Sequence, residues 1–306
     1  MLWVIDNDTL KETPLESYQS DCADRFLCVI EFDELDSVAR QLSLNIRMIY
    51  RFCETEVSRL ESHDGVDMIS LYVPSDVDQL NCPEHVFIYH NSNLLVFIGG
   101  KNNAVADALG ELLKGEIKPL SFGRILFAFF DRLTFDDTPV IEQLEKETSV
   151  IEEELLNSHE NDMLRDIMRL RKRTLVLKQY YEQLVEIVEA VVRNENGLLD
   201  QHAVRYFGRL TVRVDRLYRN VLNLREYGSQ LREAYQTQID ISLNSVMKVF
   251  TVVTSIFLPL TLLVGWYGMN LKMPEYNWEY GYLLVGIFAV VLVVVTIMIL
   301  KRRKWF

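Results

Sequence analysis

Histidine and cysteine are scarce in this chain, with five of the former and four of the latter in 306 residues. Cys22, Cys28, Cys53 and Cys82 form no CxxC pair, which removes the paired-thiol signature of redox and zinc sites. Cys82, His85 and His90 could suggest a zinc ligand set, but His85 and His90 differ by an odd number and would point to opposite faces of one strand. No GxSxG, HExxH or equivalent constellation occurs, so no enzymatic activity is expected. Gly99-Gly100-Lys101-Asn102 lacks both the spacing of a Walker loop and the Ser or Thr that follows its Lys, which argues against coupling to ATP. Positive charge is also in deficit. Thirty-two Lys and Arg against 44 Asp and Glu give a net charge of −12. Nucleic acid is thereby excluded as the natural partner, because replacing counterions along phosphates needs a basic surface. A cation is the more natural guest. The first residues lack the basic-then-apolar pattern of a cleaved signal peptide, so the large N-terminal part is expected in a reducing cytosol.

What is present divides into three regions. Residues 1–135 mix short apolar runs with turn residues. Val86-Phe87-Ile88-Tyr89, then Asn91-Ser92-Asn93, then Leu94 to Ile98 reads as a β-hairpin. Helical patterns at Leu35 to Leu60 and Ala104 to Leu113 complete an α/β cytosolic domain. Residues 136–245 read as a helical hairpin and a long stalk. Thr138 is placed to cap a first helix with Pro139 in its first turn, and a second helix is expected from Asp162 to Arg193. In the third helix Ala203, Phe207, Leu210, Val214, Leu217, Val221, Leu224, Gly228, Leu231 and Tyr235 recur at spacings of four and three, a coiled-coil seam. Nothing after Tyr235 breaks that helix before Phe250, so a continuous rod into the third region is expected.

Residues 246–306 form a membrane hairpin. Val249 to Gly268 carries no charge over a length sufficient to cross a hydrocarbon core about 30 Å thick, and Tyr280 to Leu300 does the same. Lys301-Arg302-Arg303-Lys304 follows, a basic cluster that marks the cytoplasmic side, and two crossings put both termini there. Together with Lys248 these residues would form a basic collar at the cytoplasmic membrane face. The external loop, 269–279, holds Lys272, Glu275 and Glu279. Its carboxylates, repeated around a ring, would draw cations to a mouth. Two helices cannot enclose a conduit, so transport would require several copies around an axis.

The register of the stalk shows which face could line that conduit. Two residues beyond the seam, about 200° around the helix, lies a second stripe: Glu233, Thr237, Asp240, Asn244, Met247, Thr251, Thr254, Leu258, Thr261, Gly265 and Gly268. It is polar before the membrane and small or hydroxylated within it. Such residues also serve ordinary helix packing. Asp240 and Asn244 at the membrane boundary favour a pore, with Met247 and Leu258 as apolar constrictions that gate by dewetting. Pro259 is expected to free the carbonyl of Ser255.

After the first membrane segment stands Tyr267-Gly268-Met269-Asn270, then Met273-Pro274-Glu275, before the second segment opens at Tyr280. With Asn244 to Val249 and Ile256 to Thr261, this combination resembles the CorA family of magnesium channels. The resemblance is close over the hairpin and architectural over the rest. It implies a homopentameric funnel in a plasma or inner membrane, with the stalk helix lining the pore and Gly268, Met269 and Asn270 as selectivity filter. Potential-driven influx of hydrated Mg2+, with Co2+ and Ni2+ as further candidate ions, is the implied activity. Mg2+ sheds water reluctantly, so amide and backbone oxygens could hold it through its waters. In the family, acidic stalk residues also bind regulatory Mg2+. Counting back without gaps, one such position falls at Arg209, near Arg205, Arg216 and Arg219, and a second is retained as Glu233. Two other readings stay open. One is a Zn2+ or other transition-metal transporter of the same superfamily. The other is a membrane-anchored coiled-coil scaffold.

Overall fold

The computed structural model describes residues 1–6, 9–18, 24–74, 83–100, 120–135, 137–157, 163–269 and 280–303. Two compact units emerge, Met1–Arg232 and the residues from Glu233 onward.

The first unit is built on a seven-stranded sheet in the order β2-β1-β3-β7-β6-β5-β4. Its strands are β1 (Leu2–Asp6), β2 (Thr9–Thr13), β3 (Arg25–Glu31), β4 (Arg59–His63), β5 (Val66–Val73), β6 (Glu84–Asn91) and β7 (Leu94–Gly99). Among the described residues only β3 and β7 pair in parallel. The hairpin read from Val86 to Ile98 is β6–β7, with Phe87 opposite Ile98 and Tyr89 opposite Val96. All six residues of β7 are buried. A strand reads as an unbroken apolar run when both faces of its sheet are covered.

One face is covered by α1 (Leu35–Val38) and α2 (Ile46–Cys53), which pack with Leu2, Phe26, Cys28, Ile30, Phe87 and Val96. The helical pattern expected from Leu35 to Leu60 is two short helices followed by β4, which takes its last two residues. Ser43 takes a positive φ of 54°, and the Asn45 side chain caps α2 by accepting from the Met48 amide at 3.2 Å. That backbone reversal ends the helix although the apolar spacing continues past it. The other face receives α3 (Phe122–Leu133), through Phe97 against Phe129 at 5.2 Å and His90 against Phe122 at 5.6 Å. The expected helix at Ala104 to Leu113 lies outside the described residues.

Three long helices follow, α4 (Asp137–Asn157), α5 (Met163–Arg193) and α6 (Gln201–Tyr267). Helix α4 begins one residue before Thr138, which therefore sits inside the helix, with Pro139 in its first turn. The turn between α5 and α6 has Asn194 and Gly197 at positive φ, 47° and 65°. The Asn196 amide ties this turn to the β4–β5 hairpin. It donates to His63 O, Val66 O and Asp67 Oδ1 at 2.9, 3.1 and 2.7 Å, and accepts from the Gly65 amide at 3.3 Å. Asp200 then caps α6 by accepting from the Ala203 amide at 2.6 Å.

The seam of α6 from Ala203 to Leu231 is buried within this unit. Its partners belong to the same chain. Phe207 meets Phe127 and Phe130 of α3, and Gly228 faces Leu170 and Arg171 of α5. Closest of all is Gly123, where an added Cβ would stand 2.5 Å from the Ala203 Cβ. Glycine is needed there because the helices approach backbone to backbone.

The second unit holds the rest of α6 and α7 (Gly281–Arg302). Both helices are long and apolar enough to cross a membrane. Their most apolar stretches are 6% and 0% buried, unlike the core helix of a soluble protein.

Candidate functional site: the outward stripe of helix α6

Helix α6 continues without interruption past Pro259 to Tyr267. Every residue of the polar stripe from Glu233 to Gly268 is exposed except Thr251, which is half-buried. Asp240 and Asn244 therefore stand open on the surface of the second unit. Met247 and Leu258, the expected constrictions, are 63% and 69% exposed. Leaving such side chains in water is unfavourable by roughly 1.5–3 kcal/mol each, so these positions call for lipid or another copy of the helix.

The threonines reveal what the stripe offers chemically. Thr237, Thr251, Thr254 and Thr261 each donate the hydroxyl proton to the carbonyl four residues back, at 2.9, 2.8, 2.7 and 2.8 Å. With that proton engaged, the free lone pairs of each oxygen act as acceptors. A column of hydroxyl acceptors suits a cation or the waters around one. Gly265 adds clearance, since an added Cβ there would meet nothing within 4 Å.

The end of α6 is fixed by backbone. The Gly268 amide donates to Val264 O at 2.8 Å, and the Met269 amide to Trp266 O at 3.3 Å. An added Cβ at Gly268 would lie 2.9 Å from Val264 O. Substitution would thus push the helix terminus and whatever follows it. Gly268 and Met269 are described. Asn270, Glu275 and Glu279 lie outside the described residues, as does Lys304. Lys301 and Arg302 occupy the last turn of α7, where cations are favourable, with Arg303 just beyond. All three are exposed, as is Lys248.

Metal chemistry elsewhere finds little support. Among the described residues no group of three His, Cys, Asp or Glu side chains could hold an ion. His85 stacks on Phe32 and Tyr72 at 4.9 and 4.3 Å, and its Nε2 lies 2.8 Å from Ser70 Oγ. His90 instead packs against Phe122. The two rings serve separate environments, and burial depresses both to pKa values of about 4. Glu233, expected as an acidic stalk position, is exposed, and Arg209 lies over the Tyr206 ring at 5.5 Å. The threonine bonding was not anticipated from the sequence. Its signal was a run of Thr at helical spacing, since a mid-helix hydroxyl regularly bonds the carbonyl four residues back.

The family described as CorA-like Mg2+ transporter protein matches residues 31–304. A cobalt/magnesium transport protein CorA from Thermotoga maritima is 28% identical over 226 residues, 72% of this chain and 64% of that protein. The match thus spans slightly less than two thirds of that relative's length. The cobalt/magnesium transport protein CorA of Methanocaldococcus jannaschii is 25% identical over 291 residues, 89% of this chain and 88% of that one. The complete structure of the CorA magnesium transporter from Methanocaldococcus jannaschii superposes with a TM-score of 0.80 at 20% identity, covering 100% of this chain and 99% of the other. At that identity the likeness establishes the fold.

Proposed function

Because the chain belongs to the CorA-like Mg2+ transporter family, we propose that it carries hydrated divalent cations, Mg2+ foremost, across a membrane down the electrical potential. Copies of the chain form a ring, a pentamer on the family pattern, and the stripe from Asp240 to Gly268 faces the axis. The observation that carries this reading is the row of threonines whose protons are committed to their own helix. It gives a path that accepts hydrogen bonds from the water shell of a cation without fixing the ion itself.

Each residue then has a role. Gly268, Met269 and Asn270 form the filter, where amide and backbone oxygens hold Mg2+ through its waters. Glu275 and Glu279 raise the local cation concentration at the outer mouth. Leu258 and Met247 close the path by excluding water, and Asn244 and Asp240 receive the ion on the cytoplasmic side. Lys248, Lys301, Arg302, Arg303 and Lys304 form the basic collar of an inner membrane protein with both termini in the cytoplasm. Glu233 is a candidate regulatory Mg2+ ligand. The potential supplies about 4.6 kcal/mol per 100 mV for a divalent ion, so no second energy source is required.

The test is uptake into liposomes holding the purified chain, with a magnesium-sensitive dye and an inside-negative potential. Wild type should conduct Mg2+ and Asn270→Ala should not. Entry of Zn2+ with exclusion of Mg2+ would move the assignment to a transition metal. Absence of any divalent flux would leave a membrane-anchored scaffold.

A further inference from the structure

We propose that Arg124, Tyr206 and Arg209 form an oxyanion-binding site between α3 and α6, separate from the cation path. Arg124 belongs to the first turn of α3, where its amide donates to Ser121 Oγ at 3.3 Å. Its guanidinium carbon reaches across to the Tyr206 ring of α6, 4.4 Å from the centroid. Arg209, three residues further along α6, lies 5.5 Å from the same centroid. Phe127 supports the ring from α3, its centroid 5.2 Å away. Two cationic heads thus share one aromatic ring.

Three other arginines of the helices do have carboxylate partners. Arg213 pairs with Asp131, Arg219 with Asp215 at 2.7 Å, and Arg173 with Glu147. Neither Arg124 nor Arg209 has a carboxylate partner among the described residues. The Nε of Arg124 is buried without a hydrogen-bond acceptor among them, as are those of Arg173 and Arg213, but these two keep a carboxylate on another nitrogen and Arg124 does not. A buried donor left unpaired is costly, and so are two like charges drawn to one ring. Both costs fall if an anion takes the forked N–H groups, and planar guanidinium is built for carboxylate or phosphate. In a chain of net charge −12, a pair of cations without a carboxylate among the described residues marks a site of opposite preference to the rest of the surface. The ligand is a phosphate group from solution or a carboxylate of a second copy. The latter alone rests on the ring proposed above.

The experiment uses the full chain in detergent, measuring the thermal midpoint while inorganic phosphate replaces chloride at constant ionic strength. Native mass spectrometry of wild type and Arg209→Glu runs alongside. A saturable rise in midpoint, weakened tenfold or more by Arg124→Gln and by Arg209→Gln but unchanged by the remote Arg193→Gln, establishes a site for free phosphate. No phosphate response, with Arg209→Glu converting the assembly to smaller species, establishes the carboxylate of a second copy. A phosphate response that survives both Gln variants overturns the proposal, as does the absence of both effects. Cation uptake is read independently, so failure of the transport reading leaves this test intact.

Discussion

The contact between Gly123 and Ala203 lends itself to a quantitative test, because it is where the sheet-bound helix α3 grips the start of α6. Gly123→Ala would put a methyl carbon 2.5 Å from the Ala203 Cβ and 3.2 Å from Leu199 Cδ2. Apolar carbons prefer about 3.5–4.0 Å. The Leu199 methyl can rotate away, but the Ala203 Cβ is fixed to the backbone of α6, so the helices must part by about 1 Å. Overpacking of this kind costs roughly 1–3 kcal/mol, and a rigid backbone partner puts it at the upper end. Alanine returns about 1 kcal/mol through its better helix propensity. The net loss is about 2 kcal/mol, which for a unit of this size lowers the unfolding midpoint by roughly 4–8 °C. The assay is a denaturation profile of the full chain in detergent, with Ala203→Gly made singly and in combination. Ala203→Gly alone should cost about 1 kcal/mol as a helix glycine. The double variant should then recover to within about 1 kcal/mol of wild type, a coupling that isolates the clash. A midpoint for Gly123→Ala at or above wild type, or additive behaviour in the cycle, would refute the close approach.

Met247→Ala and Leu258→Ala should each raise divalent leak into liposomes severalfold, since smaller side chains wet a constriction; unchanged flux from both removes these residues from the gate. Thr254→Val with Thr261→Val keeps shape and β-branching but deletes two outward acceptors. At about 1 kcal/mol per hydrogen bond, conduction should drop severalfold with assembly intact on native gels. Stability of the first unit should depend on His90, 1% exposed, whose folded pKa of about 4 lies below its unfolded value of 6.5. The unfolded chain binds the extra proton between those values. His90 therefore contributes its full share above pH 6.5 and loses about 3 kcal/mol as pH falls toward 4. Urea midpoints measured from pH 7 to 4 should fall less steeply in His90→Leu; an identical slope would contradict the burial of this ring as the cause.

Legibility from sequence tracked how local each signal was. The β6–β7 hairpin was readable because two apolar runs flank Asn91-Ser92-Asn93 and nothing distant is needed to set its register. The two membrane helices announced themselves by uncharged length alone, and the seam of α6 by its spacing. Leu35 to Leu60 was misread because the apolar spacing spans the Ser43 reversal, and a single positive φ leaves no trace in periodicity. The strand order was hidden for a different reason. Pairing β3 with β7 joins residues such as Cys28 and Val96 across the whole of β4, β5 and β6, and no local pattern encodes that choice. Nor could the Asn196 clamp be read, since its four bonds reach residues about 130 positions away.

A single periodicity serves two opposite purposes along α6, and burial separates them. From Ala203 to Leu231 the positions of the seam are filled by the same chain, so this part of the helix is already satisfied. Beyond Arg232 many large apolar side chains are left outward, with Val249 and Phe250 at 63% and 65% exposure and Leu262 at 72%. A helix cannot leave such a surface in water, and the apolar faces can be met by lipid. The acceptor stripe is met better by water, because its free oxygen lone pairs gain no hydrogen bond from hydrocarbon. Lipid on one side and copies of the stripe around water on the other satisfies both, which is why the threonine bonding and the apolar exposure argue jointly for a ring and neither does so alone.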